Sequence, residues 1–193
     1  MKFLSFFLLL LIFQSCKVNY SVSMKNIPPH YTPKTYGEYL NTDVENFGVY
    51  VNGLYLDLNW EHAIPLYFVN YQNETTMRLN VYAKEPHMFL TIKDITIHCT
   101  EINLDKTFLI DKKYIVDEKI KEEKYGETIR ISIKKFLTEE IQKEEDIQIF
   151  KNVKKVEVII RVQVNGKPEV NIPFSFTPVL RKSNAVLDGM MGA

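Results

Sequence analysis

Apolar and polar positions alternate through much of this chain with the two-residue period of half-buried β-strands. Phe47, Val49 and Val51 alternate with Gly48 and Tyr50; Asn52-Gly53 follows; Leu54, Leu56 and Leu58 then alternate with Tyr55 and Asp57. Both residues of an Asn-Gly pair accept the positive φ of a type I′ turn, so the pattern predicts a hairpin with a two-residue loop. Its register pairs Val51 with Leu54, Val49 with Leu56 and Phe47 with Leu58. The apolar residues then share one face, and Tyr50 and Tyr55 share the other.

The same period predicts strands over residues 66–71, 76–83, 88–93 and 95–102. Across Lys93-Asp94 the apolar positions change parity, which a bulge or tight turn corrects. Shorter candidates at 107–110 and 114–116 flank the charged Asp111-Lys112-Lys113, and Ile129, Ile131 and Ile133 mark another strand. Residues 117–127 are densely charged and read as a solvated loop. Residues 136–150 are the one stretch with helical spacing. In the last hairpin a two-residue Asn165-Gly166 loop would set valines opposite Glu169 and Asn171. A three-residue loop ending at Lys167 instead pairs Val162 with Val170 and Ile160 with Ile172. Pro168, Pro173 and Pro178 place the returning strand at an edge, or kink it.

Nine or ten short strands at close turn spacing predict an all-β fold, an antiparallel β-sandwich of immunoglobulin-like architecture with at most one short helix. A lipocalin-like barrel is the alternative. The cysteine-tryptophan-cysteine core marker of antibody domains is absent, since Trp60 has no disulfide to pack on. The expected organisation is a signal peptide at 1–15, a tether at 16–46 that carries Pro28, Pro29 and Pro33, the β-domain at 47–180 and a flexible tail at 181–193.

The N-terminus departs from the alternation. Lys2 precedes an apolar run from Phe3 to Phe13 interrupted only by Ser5. That length suits the apolar region of a secretory signal and falls short of the about 20 residues needed to span a bilayer. Ser15-Cys16, with Phe13 upstream, closes the run in a way that resembles the lipobox of bacterial lipoproteins. The resemblance covers these opening residues only. It implies that the Cys16 thiol carries a diacylglyceryl group, that the peptide before it is removed, and that the new amino terminus is acylated. Two or more acyl chains hold a protein stably on a membrane. No aspartate follows Cys16, so the resemblance points to the outer membrane and leaves the side open.

The 24 basic and 24 acidic side chains balance, which argues against a nucleic-acid partner. The only cysteines are Cys16 and Cys99. With the first lipidated, the second is unpaired, and the core rather than a disulfide holds the fold. Seven glycines, none in a phosphate-loop pattern, leave no nucleotide motif.

Candidate chemistry is sparse. His30, His62, His87 and His98 lack ligand spacing, so no metal or other cofactor is expected. Cys99 and His98 are adjacent, but neighbours on a strand point to opposite faces, so the pair reads as a core thiol and an outward histidine rather than nucleophile and base. No nucleophile elbow or zinc motif occurs. The charged runs at 117–127 and 139–146 leave room for a dispersed carboxylate pair. The better lead is aromatic: Tyr50 and Tyr55, with Tyr67, Tyr71 and Tyr82 on nearby strands, offer contact area to a partner or pack beneath another segment. The chain therefore reads as a membrane-anchored envelope lipoprotein, a non-catalytic module that binds another envelope protein or, as second choice, a glycan through a strand edge or a tyrosine face. The alternatives are an exported hydrolase and a periplasmic inhibitor or immunity-type lipoprotein.

Overall fold

The computed structural model describes residues 18–27, 48–62, 74–121, 124–134 and 144–184. Cys16, the signal segment, Phe47, Tyr67 and Tyr71 lie outside them. The strands are β1 (Val18–Ile27), β2 (Val49–Val51), β3 (Leu54–His62), β4 (Glu74–Ala83), β5 (Met88–Cys99), β6 (Leu104–Val116), β7 (Glu118–Lys121), β8 (Lys124–Lys134), β9 (Val156–Val164) and β10 (Val170–Asn184). They form two five-stranded sheets, β1-β10-β9-β5-β6 and β2-β3-β4-β8-β7, with every described pair antiparallel. The sheets pack face to face, and neither closes into a barrel. The order is immunoglobulin-like: β3-β4-β8-β7 occupy the places of strands A-B-E-D, and β10-β9-β5-β6 those of G-F-C-C′. β2 and β1 extend the two sheets outside A and G.

The two-residue period explains the core. Leu54, Leu56 and Leu58 of β3, Met77, Leu79 and Val81 of β4, and Ile129, Ile131 and Ile133 of β8 face Leu90, Ile92, Ile95 and Ile97 of β5 and the alternate valines of β9, all buried. Trp60 sits edge-on to Phe176 across the sandwich, with ring centroids 5.4 Å apart, and its indole N–H donates to the buried Thr75 hydroxyl. This aromatic pair occupies the interior without a disulfide; Cys99 is buried and free.

Both hairpin registers hold. Val51 pairs with Leu54 and Val49 with Leu56, across Asn52 and Gly53 with φ of 48° and 94°. Val162 pairs with Val170 and Ile160 with Ile172, and the Lys167 N–H closes the turn on the Val164 carbonyl at 2.9 Å. The parity change at Lys93-Asp94 is a bulge that shifts register against both β6 and β9.

Four expectations need correction. The tether at 16–46 contains β1, paired along its length with β10 from Val18 opposite Asn184 to Ile27 opposite Ser175. Val22 and Met24, alternating with serines and Lys25, enter the core, and the Asn26 amide donates to the Leu58 carbonyl at 3.0 Å, on the β3 edge just past the end of β2. The tail from 181 begins as strand, since β10 runs to Asn184. β10 is not an outer strand, because β1 lies outside it. Yet it pairs β9 only up to Phe176 and β1 only from Ser175 onward, so Pro173 and Pro178 each stand where β10 has one described neighbour and a missing N–H costs least. The charged loop at 117–127 contains β7 and the start of β8. β7 is an edge strand, and edges tolerate and even favour charge. The helix at 136–150 is described only in part, as 3-10 turns over Glu144–Asn152 that bury Phe150.

Candidate functional site

The outer face of β5 and β6 carries the least ordinary surface of the described chain. The two strands meet through a 3-10 turn, Thr100–Ile102, closed by Asn103 in the left-handed region. Between Ile92 and Asp94 the register slips by one, opposite Asp111 with its φ of 41°. The slip turns Lys93 and Asp94 outward together, and each finds a partner. The Lys93 ammonium is 2.9 Å from Asp111. Asp94, mostly buried, accepts from the Nε of Arg161 at 2.8 Å and again from its Nη2; Arg161 also donates to Glu169 at 3.0 Å. These hydrogen bonds, Asp94 first, raise the Arg161 pKa further. The network joins β5, β9 and the start of β10, so the bulge is braced.

On either side of this network apolar side chains stand in solvent. Phe89 and Ile115 are directly opposite each other, with 36% and 53% of their surface exposed, and Leu109, opposite Asp94, is 81% exposed. On this face the Lys113 ammonium lies 3.9 Å from the Phe89 ring centroid; Lys112 and Tyr114, 5.1 Å apart, pair with the buried Ile92 and Leu90 and so belong to the opposite side of the sheet. Among the described residues neither lysine has a carboxylate partner. The Phe89 backbone is fixed on both sides by Asn165: its N–H donates to the Asn165 side chain at 2.7 Å and its carbonyl accepts from the Asn165 N–H at 2.9 Å. His87 and Asp117, 3.0 Å apart, tie the adjoining loops. The apolar side chains thus ride on a stiff hairpin, not on a loop.

The tyrosine face is only half as expected. Tyr50, Tyr55 and Tyr82 do stand in one row across β2, β3 and β4. Tyr50 is 54% exposed, but Tyr55 is 2% exposed. The Tyr55 hydroxyl accepts the Gly48 N–H at 2.9 Å, and its ring occupies the space a side chain at 48 would need: a Cβ there would come within 2.3 Å of Cζ. Burial, above all, pushes the Tyr55 hydroxyl up to about 12. Tyr55 is therefore a packing residue, and of the proposed pair Tyr50 alone offers contact surface.

Cys99 and His98 point to opposite faces. The Cys99 thiol is buried, 3.5 Å from Glu101, and burial raises its pKa. His98 lies outside beside Thr100 and Asp105. Among the described residues no group of three or more His, Cys, Asp or Glu side chains could hold a metal ion, and no helix is long and apolar enough to cross a membrane. Sequence pattern alone does not reveal the β5–β6 face, because Leu109 and Ile115 fall in separate short candidates at 107–110 and 114–116 with Asp111-Lys112-Lys113 as a charged break between them, whereas the structure has one strand, Leu104–Val116; only the parity slip at Lys93-Asp94 hints at it.

No family model matches the chain, and no curated protein does. Among solved structures it is similar to one titled "Crystal structure of protein from Archaeoglobus fulgidus", with 14% identity, 66% of this chain and 91% of that chain covered, and a TM-score of 0.32. A likeness this distant bears on neither mechanism nor partner.

Proposed function

We propose that this chain is an envelope lipoprotein, held on the membrane by lipid at Cys16, whose immunoglobulin-like sandwich is a non-catalytic module that binds another envelope protein through the outer face of β5 and β6. One observation carries the binding part: Phe89, Leu109 and Ile115 stand exposed on a single braced hairpin face. Scattered exposed apolar residues are ordinary, whereas an adjacent pair such as Phe89 and Ile115, with Leu109 about 20 Å farther along the same strand face, gives a partner anchors on rigid backbone to bury at little entropic cost. The bulge at Asp111 and the lysines flanking it guard the free edge of β6 against strand addition, so the face rather than the edge is the favoured contact. The anchor rests on the resemblance at Ser15-Cys16 and on a physical fit: β1 begins two residues after Cys16, so the acyl chains would hold the sandwich itself with almost no spacer.

The two parts are tested separately. Cys16→Ala should shift electrophoretic mobility and move the protein from the membrane to the soluble fraction; a wild type already soluble ends the lipoprotein reading. A Leu109→Arg, Ile115→Arg variant should fold normally and lose its envelope partner in affinity isolation. Unchanged recovery of that partner excludes this face.

A further inference from the structure

We infer that the end of the two-stranded ribbon formed by β1 and β10 is a second membrane contact, electrostatic rather than acyl, that stands on anionic phospholipid headgroups. This rests on the anchored-module reading above and adds the surface that meets the bilayer and the lipid charge it takes. Charge is divided unevenly among the strands. Each of β3 to β9 carries at least one Asp or Glu. β1 and β10 carry none over their whole lengths, and their only charged residues are Lys25, Arg181 and Lys182. Lys17 stands just before β1. In a chain whose acidic and basic residues balance, the two strands nearest the lipid site are thus purely cationic, and such a surface selects an anionic occupant.

The register puts that charge where headgroups would be. Val18 pairs with Asn184, Tyr20 with Lys182 and Ser21 with Arg181, so both cations stand within about 10 Å of the ribbon's end at about 3.3 Å per residue. β1 itself begins two residues after Cys16. Beyond Phe176 the one described neighbour of β10 is β1, so the ribbon runs on past β9 as two strands. Consecutive positions of a strand serve its opposite faces. A ribbon lying flat would therefore offer the bilayer only one of Arg181 and Lys182, whereas a ribbon standing on its end brings both to the headgroups. Lys25, opposite Thr177, is about 23 Å from that end and beyond the screening length of about 8–10 Å, so Lys17, Arg181 and Lys182 make the contact. An acidic protein segment is the other anionic occupant, but it would have to displace headgroups from around the acyl chains.

The test uses the protein purified from the membranes of the producing cells and reconstituted into vesicles of phosphatidylcholine alone or of phosphatidylcholine with phosphatidylglycerol. A photoreactive benzophenone side chain stands at position 183. The expected adduct is lipid, with a yield at least about fivefold higher in the anionic vesicles than in the neutral ones, and the excess should vanish as salt screens the contact. It should vanish also in an Arg181→Glu, Lys182→Glu double variant that melts like the parent and stays bound to the vesicles through Cys16. If that variant melts lower, the comparison of the two vesicle compositions decides alone. Equal lipid yields in anionic and neutral vesicles, an excess that the well-folded variant retains, an adduct with a second copy in place of lipid, or no adduct from a protein that stays bound each overturns the inference and leaves the lipid-anchored module standing. A parent protein that does not stay with either kind of vesicle sinks both. In whole envelopes the same probe should again give lipid; an acidic protein peptide in its place overturns the inference.

Discussion

Tyr55→Phe separates packing from binding at the tyrosine row by way of pH. The substitution removes one buried hydroxyl, which accepts the Gly48 N–H at 2.9 Å. A buried N–H left without an acceptor costs about 1–3 kcal/mol, so near about pH 8 the variant should be less stable by roughly 1–2 kcal/mol. The hydroxyl also binds a proton more tightly in the folded protein: burial first, then the charges of Asp57 and Tyr82, lift it from 10.0 to about 12 against the lowering effect of the Gly48 bond. Between those values the unfolded chain releases a proton that the folded chain keeps, so unfolding gains as pH rises. The stabilisation is whole below the unfolded pKa and is lost through the window, at about 1.4 kcal/mol per pH unit and up to roughly 2.7 kcal/mol in all. The variant, with no hydroxyl to titrate, has no such loss. The gap measured by urea denaturation should therefore close by roughly 1 kcal/mol between about pH 10 and pH 11, other tyrosines cancelling in the difference. Parallel stability curves for the two proteins across that range, or no deficit near about pH 8, would refute the buried assignment and return Tyr55 to the surface.

Further outcomes follow from β1, the aromatic pair and the free thiol. Deleting Val18–Ile27 removes the buried Val22 and Met24 and strips the edge of β10, so the truncated chain should aggregate or unfold well below the parent in a thermal melt; an unchanged melting temperature would restore the tether. Phe176→Ala opens a cavity beside Trp60 and should cost about 3–5 kcal/mol, read from the urea midpoint. Cys99, buried with a raised pKa, should react with iodoacetamide only at the rate of unfolding; rapid labelling of the native protein would place it at the surface.

What was legible in the sequence was local. Asn52-Gly53 fixed a turn type, and the turn fixed a register that every later pairing on β3 inherits. The misfit of Glu169 and Asn171 against valines dictated a three-residue loop at 165–167, because an odd loop alone restores the inner face of Val170 and Ile172. The parity slip at Lys93-Asp94 demanded a bulge for the same reason. In each case two neighbouring segments and the period of the strand determine the answer. Tyr55 lay beyond that logic: alternation assigned it to the outer face, and it is on the outer face, but exposure depends on what else arrives there. Nothing near Gly48 in the sequence announces that its missing side chain is where the Tyr55 ring sits.

β1 is the same limit at long range. Val22 and Met24 alternate with serines as well as many strands do, yet the three prolines just after them read as spacer, and the partner that makes β1 a strand is Ser175–Asn184, at the other end of the chain. No local pattern connects the two. Their pairing changes the functional argument more than any side chain does. A tether would let a lipid-anchored domain tumble and offer any face to a partner, whereas, if Cys16 carries lipid as proposed, a strand that starts two residues later and is bonded to β10 along its length would fix which end of the sandwich meets the bilayer. Under that proposal Phe89, Lys113 and Ile115 would stand about 50 Å of strand from the anchor, measured along β9 from Val164 to Val156 and β10 from Phe176 to Asn184. A long flexible insert of Gly and Ser between Cys16 and Val18 should therefore leave folding intact while relaxing that geometry. If crosslinking from a photoreactive side chain at position 115 is as strong with the insert as without it, height is irrelevant to recognition; if it falls while soluble binding is unchanged, the proposed direct coupling of β1 to the membrane is part of how the module works.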